Sequence, residues 1–428
     1  ESHQGDDHSA IVEQLEQTFA QTEQAYLAGY DPQCDPSKKT VGVPRCLMMH
    51  KLFPMANAFF RHLGFNVVIS DASDEDAVHR AQRYAQGEVC FPVKLVYGHM
   101  AQLLEWGVDY VFMPRMHTIR HAVSKVRRNF ACPYMQVTPR MVADAFDLEA
   151  RGVELISPVL DMDFGQPALA NAMLAVGKGL GRTPQETARA MLAGGFAVQK
   201  YTQKSEELGD AVLASLAPDE RAVVILTRQY NVSDPVLSMD IPRLFAERGM
   251  RVVGLANLRA LDVDVTPDHP GLCWPFGQHI LAGAKLVRRD PRLFAVYLTN
   301  HGCGPDTIMT HLVAREMGDK PYLQIEADEH ASKVGVITRI EAFLNSIRSY
   351  DACDERNIPT STRTFGREGD ALDSGRACLL PSFGAHGTLV ASWLTERGFD
   401  VRAVEPSRDA LVAGQGECTT KEYASFAL

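Results

Sequence analysis

Residues 41–70, VGVPRCLMMHKLFPMANAFFRHLGFNVVIS, decide the fold. A short apolar segment comes first, a helical pattern follows near residues 53–63, and a second apolar segment follows Gly64. This order is typical of the strand–helix–strand unit of a parallel sheet that is covered by helices. Gly64 ends the helix where a positive φ is favoured, a conformation that glycine adopts at little cost.

The same pattern occurs twice more in the chain. The second copy is AVVILTRQY, a helix near residues 240–248 and then GMRVVGL, and the third is ACLLPSF, a helix near 386–397 and then GFDVRAV. The turns FFRHLGF, LFAERGM and SWLTERGF match closely. We therefore predict an α/β fold with two to three repeated Rossmann-like or flavodoxin-like βαβ lobes with parallel sheets.

The repeats also predict a division of the chain. The expected parts are a helical leader or linker (1–40), a first α/β lobe (41–150), a second α/β lobe (151–350), a linker (351–375) and the start of a third, incomplete repeat (376–428). Because the third copy stops before its sheet is complete, we expect the chain to be a fragment of a longer fusion.

Composition restricts the class of partner. The chain has 428 residues, 46% of them hydrophobic, and a formal net charge of −10, which argues against nucleic acid or an anionic membrane as the main partner. No apolar run is long enough to cross a bilayer and the N-terminus does not resemble a secretory signal. The nine cysteines are widely and irregularly spaced, so we expect a cytoplasmic protein with reduced thiols or thiol metal ligands.

Three cysteines precede helices that proline opens: Cys90 in GEVCFPVKLVYGHM, Cys132 in ACPYMQ and Cys303 in HGCGPDTI. A thiol at this place faces free backbone N–H groups and the positive end of the helix dipole, which favour the thiolate that binds metal. No C-x2-C pair indicates a structural zinc site. Thiols from two lobes could meet only at a cleft between them, where an iron–sulfur cluster is the natural occupant.

The alternative is a cluster-free α/β protein, because most free cysteines are small buried core residues. Cys46 and Cys273 are weaker ligand candidates, whereas Cys34, Cys353 and Cys378 are expected to be incidental or part of the core.

Several of these stretches resemble one protein family. They are VGVPRCLMMHKLFPMANAFFRHLGFNVVIS, GEVCFPVKLVYGHM, RNFACPYMQ, LTRQYNVSDPVLSMDIPRLFAERG, LTNHGCGPDTI and KPYLQIEADEHASKVGVITRIEAFLNSI. The chain resembles the acyl-CoA dehydratase activase-related proteins over residues 40–350, with a weaker continuation at 376–428. These proteins are similar to 2-hydroxyacyl-CoA dehydratase subunits, benzoyl-CoA reductase subunits and double-cubane cluster proteins.

The resemblance implies a cofactor and partners. Cys90, Cys132 and Cys303 would bind an iron–sulfur cluster, either 4Fe–4S or part of an 8Fe–9S double cubane, and Cys418 would supply a ligand from the next repeat. An activating ATPase, separate or fused, would bind ATP and drive a low-potential electron to the cluster. AVGKGLGRT falls short of a phosphate-binding GxxxxGK[ST] loop, so we expect no nucleotide site in this chain. Relatives pair as dimers, which makes a dimer the expected assembly.

The predicted function is that of an oxidoreductase, the iron–sulfur component of an ATP-driven reductase that acts on a small substrate. The alternatives are a lyase subunit of the 2-hydroxyacyl-CoA dehydratase type and a non-catalytic, cluster-bearing scaffold. No acid or base is assigned, and the iron that lacks a thiolate would be the reacting centre.

Other polar residues near the cysteines are weaker candidates. His301 and His117 are expected in loops near Cys303 and Cys132, with His301 the better neighbour of the cluster. Lys94 and His99 lie on the helix after Cys90 and are expected to be structural. The EADEHASK segment is either an acid/base or docking loop or a capped helix start, and it contains Glu326, Asp328, Glu329 and His330.

Overall fold

The computed structural model describes residues 8–350 except 86, 120–122, 126–128, 164 and 330, and further residues 377–381, 385–404 and 407. Contacts between Cα atoms divide the chain into two units, Glu1–Pro359 and Thr360–Leu428. The first unit contains two α/β lobes, each built on a four-stranded parallel sheet.

The first lobe contains six strands: β1 (Thr40–Val43), β2 (Asn66–Ile69), β3 (Tyr110–Phe112), β4 (Arg115–Thr118), β5 (Glu154–Ile156) and β6 (Val159–Asp161). Its main sheet has the order β2–β1–β3–β5, and β4 pairs with β6 in a separate parallel pair. The helices are α1 (Ser9–Tyr26), α2 (Met49–His62), α3 (Glu75–Tyr84), α4 (Phe91–Glu105), α5 (Pro133–Phe146), α6 (Gln166–Gly179) and α7 (Pro184–Ala214). Because β5 lies beyond residue 150 and pairs with β3, the first sheet extends past the predicted start of the second lobe.

The second lobe contains β7 (Ala222–Leu226), β8 (Arg251–Gly254), β9 (Leu293–Asn300) and β10 (Tyr322–Ala327), in the order β10–β9–β7–β8. Its helices are α8 (Gln229–Ser233), α9 (Pro235–Ser238), α10 (Ile241–Ala246), α11 (Pro275–Arg289), α12 (Gly304–Met317) and α13 (Lys333–Ser349). Every residue of β7 and β9 is buried, because helices cover both faces of a parallel sheet and its central strands are apolar throughout.

The second unit contains β11 (Cys378–Pro381), α14 (Ala385–Thr395) and β12 (Val401–Val404), and its two strands are parallel. The three predicted βαβ copies are thus present, and the predicted α/β class with repeated parallel-sheet lobes is confirmed. Gly64, Gly249 and Gly398 end the repeated helices with φ of 84°, 79° and 87°. These turns adopt the positive φ that the sequence predicts.

α2 begins at Met49, four residues before its predicted start. Pro54 lies in the second turn of α2, although proline usually occupies the first turn of a helix. Inside α2, Pro54 cannot donate the bond that the His50 carbonyl would otherwise accept. The side-chain Nε2 of Gln229, a residue that follows β7 at the start of a short helix, donates to that carbonyl at 3.4 Å. The His50 carbonyl therefore keeps a hydrogen-bond partner, which allows α2 to continue through Pro54.

Both four-stranded sheets place their first strand in the middle, their second on one side and their third on the other. The connection changes direction between β1 and β3 in one lobe and between β7 and β9 in the other. Parallel α/β sheets bind ligands at this switch point, beyond the carboxyl ends of the strands. None of the helices described is long and apolar enough to cross a membrane.

Candidate functional site: a cavity with three cysteines

Each of the three cysteines favoured by the sequence is the N-cap residue of a helix. Cys90 precedes α4, Cys132 precedes α5 and Cys303 precedes α12, and a proline lies in the first turn of each helix. All three residues have extended backbone conformations, as N-cap residues usually do. The predicted placement of these thiols at helix starts is therefore found in the structure.

The three cysteines line one cavity of about 30 Å³. Cys90 and Cys132 come from the first lobe and Cys303 comes from the second. The remaining wall is mainly apolar and includes Phe130, Trp274, Phe276 and Met309, with Arg228, Tyr230 and Asn300 as its polar members. The thiols therefore do not point into separate hydrophobic interiors. They share a cavity that apolar side chains shield from bulk water.

The second lobe contributes to this cavity from its switch point. Arg228 and Tyr230 follow the carboxyl end of β7, whereas Cys303 follows the carboxyl end of β9. These two strands are adjacent in the sheet, so residues separated by more than seventy positions in the sequence come together. The topology predicted from the repeats thus explains the position of the site.

Arg228 is the charged residue of this cavity. It donates from Nη2 to Cys303 Sγ at 3.4 Å, and it contacts both carboxylate oxygens of Asp306 at 2.8 Å. Asp306 also accepts from the Asn300 backbone N–H at 3.1 Å and from the Tyr297 hydroxyl at 3.2 Å. Arg228 and Asp306 are almost fully buried. The pair fixes the loop that carries Cys303 against the end of β7.

Burial controls the protonation of the thiols. It raises the pKa of Cys90 to about 11 and that of Cys303 to about 12. Hydrogen bonds from the backbone N–H groups of Val93 and Asp306 act in the opposite direction, as the helix starts predict, but they are the smaller effect. The helix starts thus favour the thiolate as expected, but desolvation of the sulfur outweighs them, so the pKa of each thiol is raised in the metal-free protein.

Tyr230 is close to the same sulfur atoms. Burial raises the pKa of its hydroxyl well above the ordinary value, and charge on Cys303, Cys90 and Cys132 would raise it further, whereas Arg228 opposes the change. The phenol is therefore a neutral group that can donate a hydrogen bond into the cavity.

The three cavity thiols are side chains of the type that iron–sulfur clusters use as ligands. Among the residues that the structure describes, no group of three His, Cys, Asp or Glu side chains could hold one ion. A single ion needs all its ligand atoms about 2.3 Å from one point, whereas the thiolates of a cluster bind different iron atoms and lie farther apart. The cavity offers thiols as its metal-binding side chains, although side chains must move to admit a group larger than water.

Among the described residues, the weaker candidates Cys46 and Cys273 are absent from the cavity wall. Cys46 is buried and Cys273 is half-buried, and each is next to a residue of the wall, Leu47 or Trp274. Cys34 is exposed, Cys378 begins β11, and Cys418 and Cys353 lie outside the described residues.

The histidine candidates do not line the cavity. His301 is exposed and its Nδ1 lies 2.8 Å from Glu326 Oε1. His117 lies on β4 rather than in the predicted loop, because this segment pairs with β6. Its Nδ1 lies 2.6 Å from Asp161 Oδ2. Both side chains thus contact carboxylates and are absent from the cavity wall.

Lys94 and His99 have hydrogen-bond partners other than the cysteines. Lys94 donates to Glu88 and Glu329 at 2.8 Å each, whereas the buried His99 lies 3.0 Å from the hydroxyls of Ser70 and Ser73. Asp328 and Glu329 line a separate cleft of about 610 Å³. His330 lies outside the described residues, and the role of the EADEHASK segment stays a prediction.

Gly302 brings the two cysteine loops together and gives a testable prediction. Its φ is 71°, and a Cβ atom here would lie 3.5 Å from Cys90 Cα. Gly302→Ala is expected to lower the free energy of unfolding by about 1–2 kcal/mol, because an L-residue is strained at this φ. Urea denaturation measures the change. Gly304→Ala is the control, since Gly304 has no positive φ and no atom within 4 Å of an added Cβ. Equal losses in both variants would contradict the explanation.

Comparison with known proteins gives one family match. The family model for the CoA enzyme activase uncharacterised domain (DUF2229) matches residues 40–258, slightly more than half of the chain. The search of curated proteins finds no match. Among solved structures, the C-terminal domain of glucosamine-fructose-6-phosphate aminotransferase from Francisella tularensis is 8% identical, with 82% of this chain and 99% of that chain covered. Its TM-score of 0.18 is too low to support an argument about fold or function.

Proposed function

The chain belongs to the CoA enzyme activase family and is related to the activators of acyl-CoA dehydratase systems, and we propose that it is the iron–sulfur component of such a system. In this proposal Cys90, Cys132 and Cys303 hold a 4Fe–4S cluster. The observation that supports it is the shared cavity, to which both lobes contribute thiols from helix N-caps.

The chain's own residues have separate tasks in this function. The three thiols bind iron, the apolar wall excludes water, and the buried Arg228 compensates negative charge on sulfur. When bound, the cluster supplies one-electron redox chemistry at low potential. The reduction potential of a cluster depends on the number of thiolate ligands, on hydrogen bonds to sulfur and on solvent exclusion. The cavity supplies three thiols, a hydrogen bond from Arg228 and an apolar wall.

The proposal places ATP on an activating ATPase, separate or fused, and not on residues of the two lobes. It also places the protein in the cytoplasm, as an oxidoreductase that forms a dimer and delivers the electron to a small substrate. The alternative is a lyase subunit of the 2-hydroxyacyl-CoA dehydratase type, and binding of a CoA ester would distinguish it from the reductase component.

Iron and acid-labile sulfide analysis after anaerobic purification tests the proposal. We expect a brown protein with about four iron and four sulfide ions per cluster, since that is the composition of a cubane. Dithionite should produce an EPR signal that exposure to air removes. A colourless, iron-free protein obtained under strict anoxia would refute the cluster.

Electron delivery needs a second experiment. The oxidised, cluster-loaded protein is mixed with an activating ATPase of the acyl-CoA dehydratase type, its reductant and ATP. We expect the EPR signal of the reduced cluster to appear with ATP and to stay absent when a non-hydrolysable ATP analogue replaces it. A signal that does not depend on ATP hydrolysis would contradict ATP-driven delivery and would favour a scaffold.

A further inference from the structure

An arginine follows the first strand of each lobe at the same distance. Arg45 is the second residue after β1, and Arg228 is the second residue after β7. Arg45 Nη2 donates to Glu23 Oε2 at 2.8 Å and the side chain does not line the cysteine cavity. Arg228 lines this cavity and contacts the sulfur of Cys303. The two lobes thus use one position of the repeat in different ways.

The Arg228–Asp306 pair is costly if it serves only the fold. Both side chains are withdrawn from water, and the attraction within a buried ion pair often fails to repay the lost hydration. Asp306 is already satisfied in part by the Asn300 backbone N–H and the Tyr297 hydroxyl. The contact that this arrangement adds is the one from Arg228 Nη2 to Cys303 Sγ. The contact with the Cys303 sulfur therefore distinguishes this ion pair from one that only stabilises the fold.

The geometry determines which charge acts most directly on that sulfur. Arg228 approaches Cys303 Sγ at 3.4 Å, whereas the carboxylate oxygens of Asp306 are directed at Arg228, the Asn300 N–H and the Tyr297 hydroxyl. A charged donor to a thiolate stabilises its negative charge in a site where water is excluded. Reduction adds negative charge to a cluster, so such a donor makes reduction easier.

We propose that Arg228 is a positioning residue that holds Cys303 by a charged hydrogen bond to its sulfur and raises the reduction potential of the cluster. This inference rests on the proposed function. Asp306 in turn orients the guanidinium, whose Nη2 contacts both the Asp306 carboxylate and the Cys303 sulfur.

Redox titration of the cluster, followed by EPR, tests the inference. Arg228→Gln is expected to shift the midpoint potential to more negative values by 59 mV or more, which is a tenfold change for one electron. Asp306→Asn removes the opposite charge and should shift the potential to more positive values. Arg228→Lys keeps the charge but cannot contact the carboxylate and the sulfur in one plane, so its potential should lie between those of the wild type and Arg228→Gln.

The first lobe provides a matched control. Arg45→Gln, combined with Glu23→Gln, neutralises the pair at the corresponding position of the repeat and should leave the potential unchanged.

Where a single charge-removing variant does not fold, Arg228→Lys and the neutral double variant Arg228→Gln/Asp306→Asn replace it, and both should have a more negative potential than the wild type. Iron-loaded variants of Arg228 with wild-type potentials would overturn the inference. An iron-free wild-type protein would instead refute the proposed function, so the two failures are distinguishable.

Discussion

Cys303→Ala is expected to lose most of its iron during anaerobic purification, by about tenfold or more relative to the wild type. Changes to residues that only support metal ligands lower metal affinity by about 10–100-fold, and removal of a ligand should cost at least as much. Among the cysteines that the structure describes, three line the cavity, so the variant would keep only two thiols for the cluster. Iron and sulfide content per chain measures the effect, and circular dichroism checks that the variant is folded.

Two other cysteines serve as controls for this experiment. Cys34→Ala alters an exposed thiol, and Cys46→Ala alters a buried thiol beside the cavity wall. Both variants are expected to keep wild-type iron content. Full occupancy in Cys303→Ala together with iron loss in Cys46→Ala would show that the ligand set is wrong. Cys273→Ala decides whether this half-buried residue supplies a further ligand.

Local sequence signals predicted the repeated units because the relevant physics is local. A glycine after an amphipathic stretch indicates a positive φ, and continuous apolar runs such as residues 222–226 indicate central strands. The three cysteine positions were predicted for the same reason, since a proline that opens a helix marks the residue before it as an N-cap. These features depend on a few neighbouring residues.

Arg228, Tyr230 and Asp306 were missed because their roles depend on contacts across the sheet. Arg228 and Asp306 are 78 positions apart and meet only because β7 and β9 are adjacent. One signal was present in the sequence: PR in VGVPRCL and TR in AVVILTRQY occupy the same place in two copies. The repeat could have directed attention to this position. It could not show that Arg45 and Arg228 have different partners.

The thiol pKa values show a second limit of sequence reasoning. The dipole of a helix can be assigned from the position of a cysteine before its first turn, but burial depends on side chains from the other lobe. At Cys90 and Cys303 the effect of burial is the larger one. A sequence can thus give the direction in which a helix start shifts the pKa of a thiol, but not the larger opposite shift that burial causes.

Asp306→Ala is expected to lower the free energy of unfolding by about 3–5 kcal/mol, the usual cost of removing one partner from a buried ion pair. The variant leaves the Arg228 guanidinium charged and buried, and it removes the acceptor for the Asn300 N–H and the Tyr297 hydroxyl. Urea denaturation, followed by circular dichroism, measures the loss. The comparison uses metal-free samples of both proteins, so that cluster binding does not contribute.

An exposed ion pair of the same lobe provides the control for this prediction. Arg243 Nε lies 2.9 Å from Glu247 Oε1 on the protein surface. Glu247→Gln should change the free energy of unfolding by no more than about 1 kcal/mol, because water and salt screen exposed pairs. The double variant Arg228→Gln/Asp306→Asn should recover much of the loss seen in Asp306→Ala, since it leaves no unpaired buried charge. If the double variant is as unstable as Asp306→Ala, lost packing rather than the unpaired guanidinium explains the effect.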